Sequence, residues 1–182
     1  MIKKINYKTI KLIKYYNYIN YKFILNNKAI NRYKKDNFET SEDKTKNLEL
    51  LKKSILNIKN CDLKKSANNV VFSDGNPNSK IMLVGEAPGA NEDLEGLPFV
   101  GRAGALLDKM LAAIDLDRNK VYISNIVNYR PPENRRPTEK EIKRYLPLIT
   151  KHIEIINPKI LILLGSTAMN ALVGNEIVIS KM

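Results

Sequence analysis

Three short apolar runs separated by helical patterns constrain the fold of this chain more than any other feature. The runs span residues 80–84, 121–127 and 159–164, and none of them alternates between apolar and polar residues. Strands of this kind are buried on both faces, as in a parallel sheet covered by helices on each side. The sequence therefore predicts a βαβαβ core with right-handed crossovers, in a three-layer α/β/α architecture around a central parallel sheet.

Helical patterns surround these strands. Apolar residues at helical spacing, together with cap residues, indicate where the helices begin and end. The predicted helices span residues 48–58, 102–114, 139–156 and 166–172. The third has the clearest start, because Thr138 and Glu141 form a capping box after a proline.

The amino-terminal segment differs in composition from the rest. Residues 1–40 carry ten lysines or arginines against two acidic residues, so +8 of the formal charge of +12 lies there. A weaker pattern predicts a helix over 8–25, and a polar linker follows at 34–46. We therefore expect a basic extension over residues 1–46 and one folded domain over residues 47–182.

The positive charge has two interpretations that composition leaves open. A strongly basic protein is suited to a polyanionic partner such as nucleic acid. The basic segment is also rich in Asn, Ile and Tyr, whose codons are AT-rich like those of Lys. Base composition of the genome therefore explains the charge equally well.

The chain has no sequence feature of a secreted or membrane protein. Cys61 is the only cysteine, so an internal disulfide cannot form, and no signal-peptide pattern opens the chain. No apolar run approaches the roughly 18 residues that span a bilayer. These observations predict a cytoplasmic protein with no membrane partner.

The segment from Gly85 to Gly104, GEAPGANEDLEGLPFVGRAG, reads as a long loop from the first strand to the following helix. Loops at the carboxyl ends of parallel strands bind ligands in open α/β sheets, and glycines allow the backbone to approach a ligand closely. The segment therefore predicts a binding site. A purely structural connection is the alternative.

Six motifs follow one another along the chain. They are GNP at 75–77, VGEAPG at 84–89, the acidic pair Glu92 and Asp93, PFVGRAG at 98–104, YISN at 122–125 and RPPENRRP at 130–137. In these motifs the chain resembles the family 4 uracil-DNA glycosylases over roughly residues 48–182. The resemblance implies a parallel four-stranded sheet between helices. It also implies a base-excision-repair hydrolase that removes uracil from DNA.

The resemblance implies roles for individual residues. Phe99 would stack on uracil, Asn125 would read its amide edge, and N–H groups around Glu86 and Ala87 would bind a uracil oxygen. Glu86 and Glu92 are candidates for activating water and stabilising a sugar cation, and the division of these tasks stays open.

Each of these residues also has a structural interpretation. Phe99 is compatible with an ordinary core position, and Asn125 with a cap at the end of a strand. Arg130, Arg135 and Arg136 suit DNA phosphates, although an exposed basic loop explains them as well. The resemblance favours uracil-containing DNA as the partner.

The metal site of the family is changed in this sequence. The family holds a 4Fe-4S cluster with four cysteines, whose matching positions here are Ile58, Cys61, Tyr129 and Tyr145. Only Cys61 is a possible ligand. Since such clusters need thiolates, we expect no cluster, no other cofactor, and apolar and aromatic packing in its place.

The sequence stops at Met182, before the His-Pro-Ser or His-Pro-Ala motif of the family. We therefore expect a truncated domain without the uracil-contacting histidine, the loop that enters the duplex and the last strand, with the 159–164 strand exposed. The only histidine, His152, is predicted in mid-helix with a structural role. The leading hypothesis is a uracil-DNA glycosylase, and the alternative is an impaired or inactive DNA-binding remnant or fragment of one.

Overall fold

The computed structural model describes residues 41–174. Its helices are α1 Ser41–Leu56, α2 Asp62–Ser66, α3 Ala90–Glu95, α4 Arg102–Ala112, α5 Glu139–Ile156 and α6 Ser166–Leu172. Its strands are β1 Asp74–Gly75, β2 Ile81–Gly85, β3 Tyr122–Asn125 and β4 Ile160–Leu163. Two short 3-10 helices span Arg118–Lys120 and Pro132–Asn134. The helix predicted over 8–25 lies outside the described residues, and the domain boundary after residue 46 stays a prediction.

The four strands form one sheet in the order β1-β3-β2-β4. Strand β2 is parallel to both β3 and β4, which confirms the predicted βαβαβ arrangement. Strand β1 pairs antiparallel to β3 and was not predicted, because two residues show no periodicity. Gly85 pairs with Asn125 at the ends of β2 and β3, so the segments that leave these strands begin side by side.

Alternate residues of the strands pack into two separate cores. Met82 and Val84 of β2 belong to a core built with apolar residues of α1 and α5. Leu83 points to the opposite face and packs in a second core with Leu107 and Leu111 of α4. Helices therefore cover both faces of the sheet, which confirms the three-layer α/β/α prediction.

The starts of α1 and α5 differ in how well the sequence pattern predicts them. Helix α1 begins at Ser41, seven residues before the predicted start, because its first turns are polar and lack an apolar face. Glu42 and Asp43 in its first turn favour the positive end of the helix dipole. Helix α5 begins as predicted: the Glu141 N–H donates to the Thr138 hydroxyl (3.3 Å), and the Thr138 N–H donates to the Glu141 carboxylate (2.7 Å).

The predicted loop between β2 and α4 contains a helix, α3, which corrects that prediction. The Gly89 N–H donates to the Glu92 carboxylate at its start, and Gly96, with φ +73°, ends it. A helix of six residues is too short to give a helical pattern in the sequence.

Burial on both faces was predicted for all three parallel strands, and it is wrong for β4. Ile160 is 53% exposed, and Leu161 and Ile162 are also exposed, because within residues 41–174 this strand pairs only with β2. The exposed apolar edge confirms the separate prediction that the 159–164 strand is exposed. No helix within the described range has the length and apolar character to cross a membrane.

Candidate active site

A cleft of about 380 Å³ opens where β2 and β3 end. Ala87, Glu92, Phe99 and Asn125 all line it, so the structure brings together four of the predicted site residues from both strands. Glu86, the fifth, immediately precedes Ala87 and is half-buried. A cleft of this size is in the range of small-molecule sites and accommodates a single base.

Gly85 leaves room for two of these side chains at the end of β2. A Cβ atom at Gly85 would lie 2.5 Å from both Asn125 Oδ1 and Phe99 Cζ. Real Cβ atoms do not approach other atoms so closely, so a larger residue at position 85 would displace at least one of these side chains. The amide and the aromatic ring therefore lie together over the end of β2.

The Asn125 side chain is buried without a partner. It is 2% exposed, and its amide forms no hydrogen bond within residues 41–174. Its neighbours differ, because Ser124 donates to the Phe72 carbonyl (2.8 Å) and Asn128 donates to the Val71 carbonyl (3.0 Å). Buried polar groups are rarely left unpaired. The Asn125 amide is therefore available to a ligand in the cleft.

Phe99 is held in an unusual backbone conformation, with φ +56°. The guanidinium of Arg118 donates to the Phe99 carbonyl and, at 3.1 Å, to the Pro98 carbonyl. Asp74 and Asp108 pair with the same guanidinium at 2.7 and 2.8 Å. Arg118 thus fixes the main chain that presents the Phe99 ring. It lies outside the sequence motifs and was not predicted as a site residue.

The acidic pair at 92 and 93 holds main-chain segments in place. The Glu92 carboxylate accepts N–H groups from Gly89 (3.1 Å) and Gly101 (2.8 Å), which joins the two sides of the 89–101 loop. The Asp93 carboxylate, which is 1% exposed, accepts the Asn68 N–H at 2.9 Å. Both carboxylates are therefore committed to positioning the walls of the cleft.

The Glu86 carboxylate has a different environment. It accepts a hydrogen bond from the Thr167 hydroxyl in α6, while the Glu86 carbonyl accepts the Val127 N–H at 3.1 Å. Since no main-chain N–H of residues 41–174 binds this carboxylate, it keeps acceptor capacity for water or substrate. Thr167 was missed because it is far from Glu86 in sequence.

The predicted DNA-binding arginines lie outside the cleft lining. Arg135 forms two hydrogen bonds with Glu141, at 2.9 and 2.7 Å, and these lower the pKa of Glu141 to about 2. Arg130 is half-buried, whereas Arg136 is exposed. The structure places a fourth arginine, Arg102, in the lining of the cleft at the start of α4.

The four positions that match the family's cluster ligands meet in one core. Cys61, Tyr129 and Tyr145 are buried, and Ile58 packs against the same core. Burial raises the pKa of both tyrosines, so their hydroxyls stay protonated. Only Cys61 can supply a thiolate, and no three His, Cys, Asp or Glu side chains of residues 41–174 form a metal-binding group. This donor set does not fit a 4Fe-4S cluster.

Comparisons with known proteins agree with this geometry. The family model described as "Uracil DNA glycosylase superfamily" matches residues 72–181. The chain is 48% identical over 119 residues to the type-4 uracil-DNA glycosylase of Sulfurisphaera tokodaii, covering 65% of this chain and 54% of that protein. It is 41% identical over 135 residues to the type-4 uracil-DNA glycosylase of Thermotoga maritima, covering 74% of this chain and 70% of that protein.

A further relative is the type-4 uracil-DNA glycosylase of Archaeoglobus fulgidus. It is 45% identical over 116 residues, covering 64% of this chain and 58% of the relative. The chain thus spans little more than half the length of two of these three curated relatives.

Proposed function

Because the chain belongs to the family 4 uracil-DNA glycosylases, within the uracil-DNA glycosylase superfamily, we propose that it removes uracil from DNA in base excision repair. The reaction would hydrolyse the N-glycosidic bond of deoxyuridine. The observation that carries the proposal is the buried Asn125 amide, unpaired within residues 41–174, in a cleft that it shares with Phe99. A cytoplasmic location stays a prediction.

Base recognition is assigned to Asn125 and Phe99. The pairing edge of uracil offers an N–H donor next to carbonyl acceptors, and an amide offers the complementary acceptor and donor. Both side chains lie beside Gly85, which supports a pose in which a base stacked on the ring would present its edge to the amide. The base must first leave its stack, which costs least in single-stranded DNA.

The chemical step requires stabilisation of the leaving base and attack of water on the sugar. The bond between sugar C1′ and uracil N1 breaks, and its electron pair leaves with the base. Main-chain N–H groups around Glu86 and Ala87 are proposed to stabilise the charge on a uracil oxygen. A water oxygen then bonds to C1′ and gives up a proton to solvent, while the uracil anion takes up a proton from solvent, so that the products are uracil and an abasic sugar. We assign the positioning of this water to Glu86, because Glu92 already accepts two main-chain N–H groups.

The DNA backbone is proposed to contact the arginines around the cleft. Arg102 lies in its lining, and the 130–137 loop supplies Arg130, Arg135 and Arg136. The Arg135 side chain is paired with Glu141 but remains 42% exposed, so its open side can contact a phosphate while the carboxylate stays bound. These contacts would position the strand without reading its sequence.

Release of uracil from a single-stranded oligonucleotide with one deoxyuridine tests the proposal in the 182-residue chain. Asn125→Ala is expected to lower kcat/KM by about 100-fold or more, a typical cost of losing a group that stabilises the transition state. Asn119→Ala removes an exposed amide outside the cleft lining and serves as the matched control. Equal release by the two variants would contradict the assignment of Asn125.

Binding measurements on the same oligonucleotide separate the glycosylase from the DNA-binding alternative. Circular dichroism first establishes that the protein is folded. A folded protein that binds DNA in a salt-dependent manner but releases no uracil would replace the proposed activity with DNA binding alone. Release that disappears in Asn125→Ala supports the proposed activity.

A further inference from the structure

Three separate segments meet at the positions that correspond to the family's cluster. Ile58 and Cys61 lie between α1 and α2, Tyr129 follows β3, and Tyr145 lies in α5. All four side chains take part in one hydrophobic core. In the family that this chain resembles, a metal cluster would join these segments. In this chain the three segments must be held together by other interactions.

The first connection is a hydrogen bond between a thiol and a phenol. Cys61 Sγ and Tyr145 Oη are 3.3 Å apart, and both residues are buried, at 6% and 0% exposure. Tyr129, at 4% exposure, completes the group, and its buried hydroxyl has no hydrogen-bond partner within residues 41–174. Two aromatic rings thus occupy positions where the family has small cysteine side chains.

The second connection is provided by the neighbouring arginine. The Arg144 guanidinium donates to the carbonyl of Asn60 at 2.6 Å and to the carbonyl of Lys59. Asn60 has φ +51°, so this turn adopts a left-handed conformation while α5 holds it. Adjacent residues of α5, Arg144 and Tyr145, therefore hold the segment that contains Cys61 through hydrogen bonds of the protein itself.

We infer that this chain has replaced the metal cluster with a packed thiol-phenol core, in which Tyr129, Tyr145 and Cys61 join the segments directly. The donor set supports this conclusion, because one thiol, two phenols and an isoleucine cannot supply the four thiolates of a 4Fe-4S cluster. The folded state would then be independent of iron. This inference does not depend on uracil release.

Iron content tests the inference in the full 182-residue chain. The protein is produced with ample iron and sulfide and purified without oxygen, and its iron, sulfide and visible absorbance are measured. We expect substoichiometric iron, no cluster absorbance and an unchanged thermal unfolding midpoint after treatment with an iron chelator. About four irons per chain, or a chelator-sensitive midpoint, would overturn the inference.

A gain-of-binding variant tests whether these positions define the former site. Ile58→Cys, Tyr129→Cys and Tyr145→Cys are combined, and the matched control replaces the same three residues with serine. After reconstitution with ferrous iron and sulfide, the cysteine variant is expected to bind iron and develop cluster absorbance, while the serine variant does not. Equal iron in both variants would show that the positions do not form a cluster site and would contradict the inference. Circular dichroism of both variants accompanies the measurement.

Discussion

Gly104 lies so close to the main chain of Phe99 that a Cβ atom there would be 1.6 Å from the Phe99 carbonyl oxygen. The Arg118 guanidinium donates to the same carbonyl. Phe99 has φ +56°, a conformation that costs a non-glycine residue about 1–3 kcal/mol. Contacts with Gly104 and Arg118 therefore set the position of the Phe99 ring through its backbone.

Gly104→Ala is expected to displace the Phe99 ring. The clash involves main-chain atoms, so rotation of a side chain cannot relieve it, and the start of α4 or the 98–100 segment must move. A shift of about 1 Å at a positioning residue costs about 100-fold in rate. We expect kcat/KM for uracil release to fall by that order, while Ala105→Ser, an exposed change in the same helix, leaves it unchanged. Equal kcat/KM for the two variants would show that the contact does not position Phe99.

Arg118→Lys is expected to lower kcat/KM through Phe99. Lysine keeps the positive charge near Asp74 and Asp108, but it lacks the planar group that also reaches the Phe99 carbonyl. Loss of such a charged hydrogen bond costs about 1.5–3 kcal/mol. This corresponds to about 10- to 100-fold in kcat/KM.

A double-mutant cycle separates positioning by Arg118 from general stability. In the Phe99→Ala background, Arg118→Lys is expected to have little further effect on kcat/KM, because the ring that it positions is gone. Asp108→Asn, which removes one ion pair without altering the guanidinium, is the control. Additive effects of Arg118→Lys and Phe99→Ala would exclude coupling between the two residues.

Patterns among residues close in sequence predicted the strands and helix ends that such residues determine. The apolar runs located β2, β3 and β4, and the Thr138 and Glu141 side chains located the start of α5. Phe99 and Asn125 were named as site residues through the motifs in which the chain resembles the family. The sequence did not reveal that both side chains lie beside Gly85, which depends on the register that pairs Gly85 with Asn125.

Residues that act across the fold had no local signal. Arg118 contacts Phe99 and Asp74, and Thr167 contacts Glu86, in each case from a distant part of the sequence. A basic residue before a strand or a threonine near a helix start is common and indicates no particular partner. Such pairs become visible only when the sheet brings their segments together.

The thiol-phenol hydrogen bond is expected to contribute to stability. Cys61→Ala and Tyr145→Phe each remove one side of the 3.3 Å contact and leave most of the packing in place. A buried hydrogen bond contributes about 1 kcal/mol. A double-mutant cycle in urea should therefore give a coupling free energy of about that size, and additive changes would show that the two groups do not interact.

His152 is expected to make stability depend on pH between about 6.5 and 4. It is 1% exposed, stacks on Phe72 and hydrogen-bonds to the Tyr122 hydroxyl at 2.8 Å, and burial lowers its pKa to about 4. The unfolded chain binds a proton at His152 below pH 6.5, whereas the folded protein does not until about pH 4. The free energy of unfolding should therefore decrease as the pH is lowered from about 6.5 to about 4, by about 3 kcal/mol in total. Between pH 8 and pH 5 the expected fall is about 2 kcal/mol, which urea unfolding can measure. His152→Gln should lose most of this fall, while the exposed control Thr150→Gln keeps it. An equal pH dependence in both variants would show that His152 is not responsible.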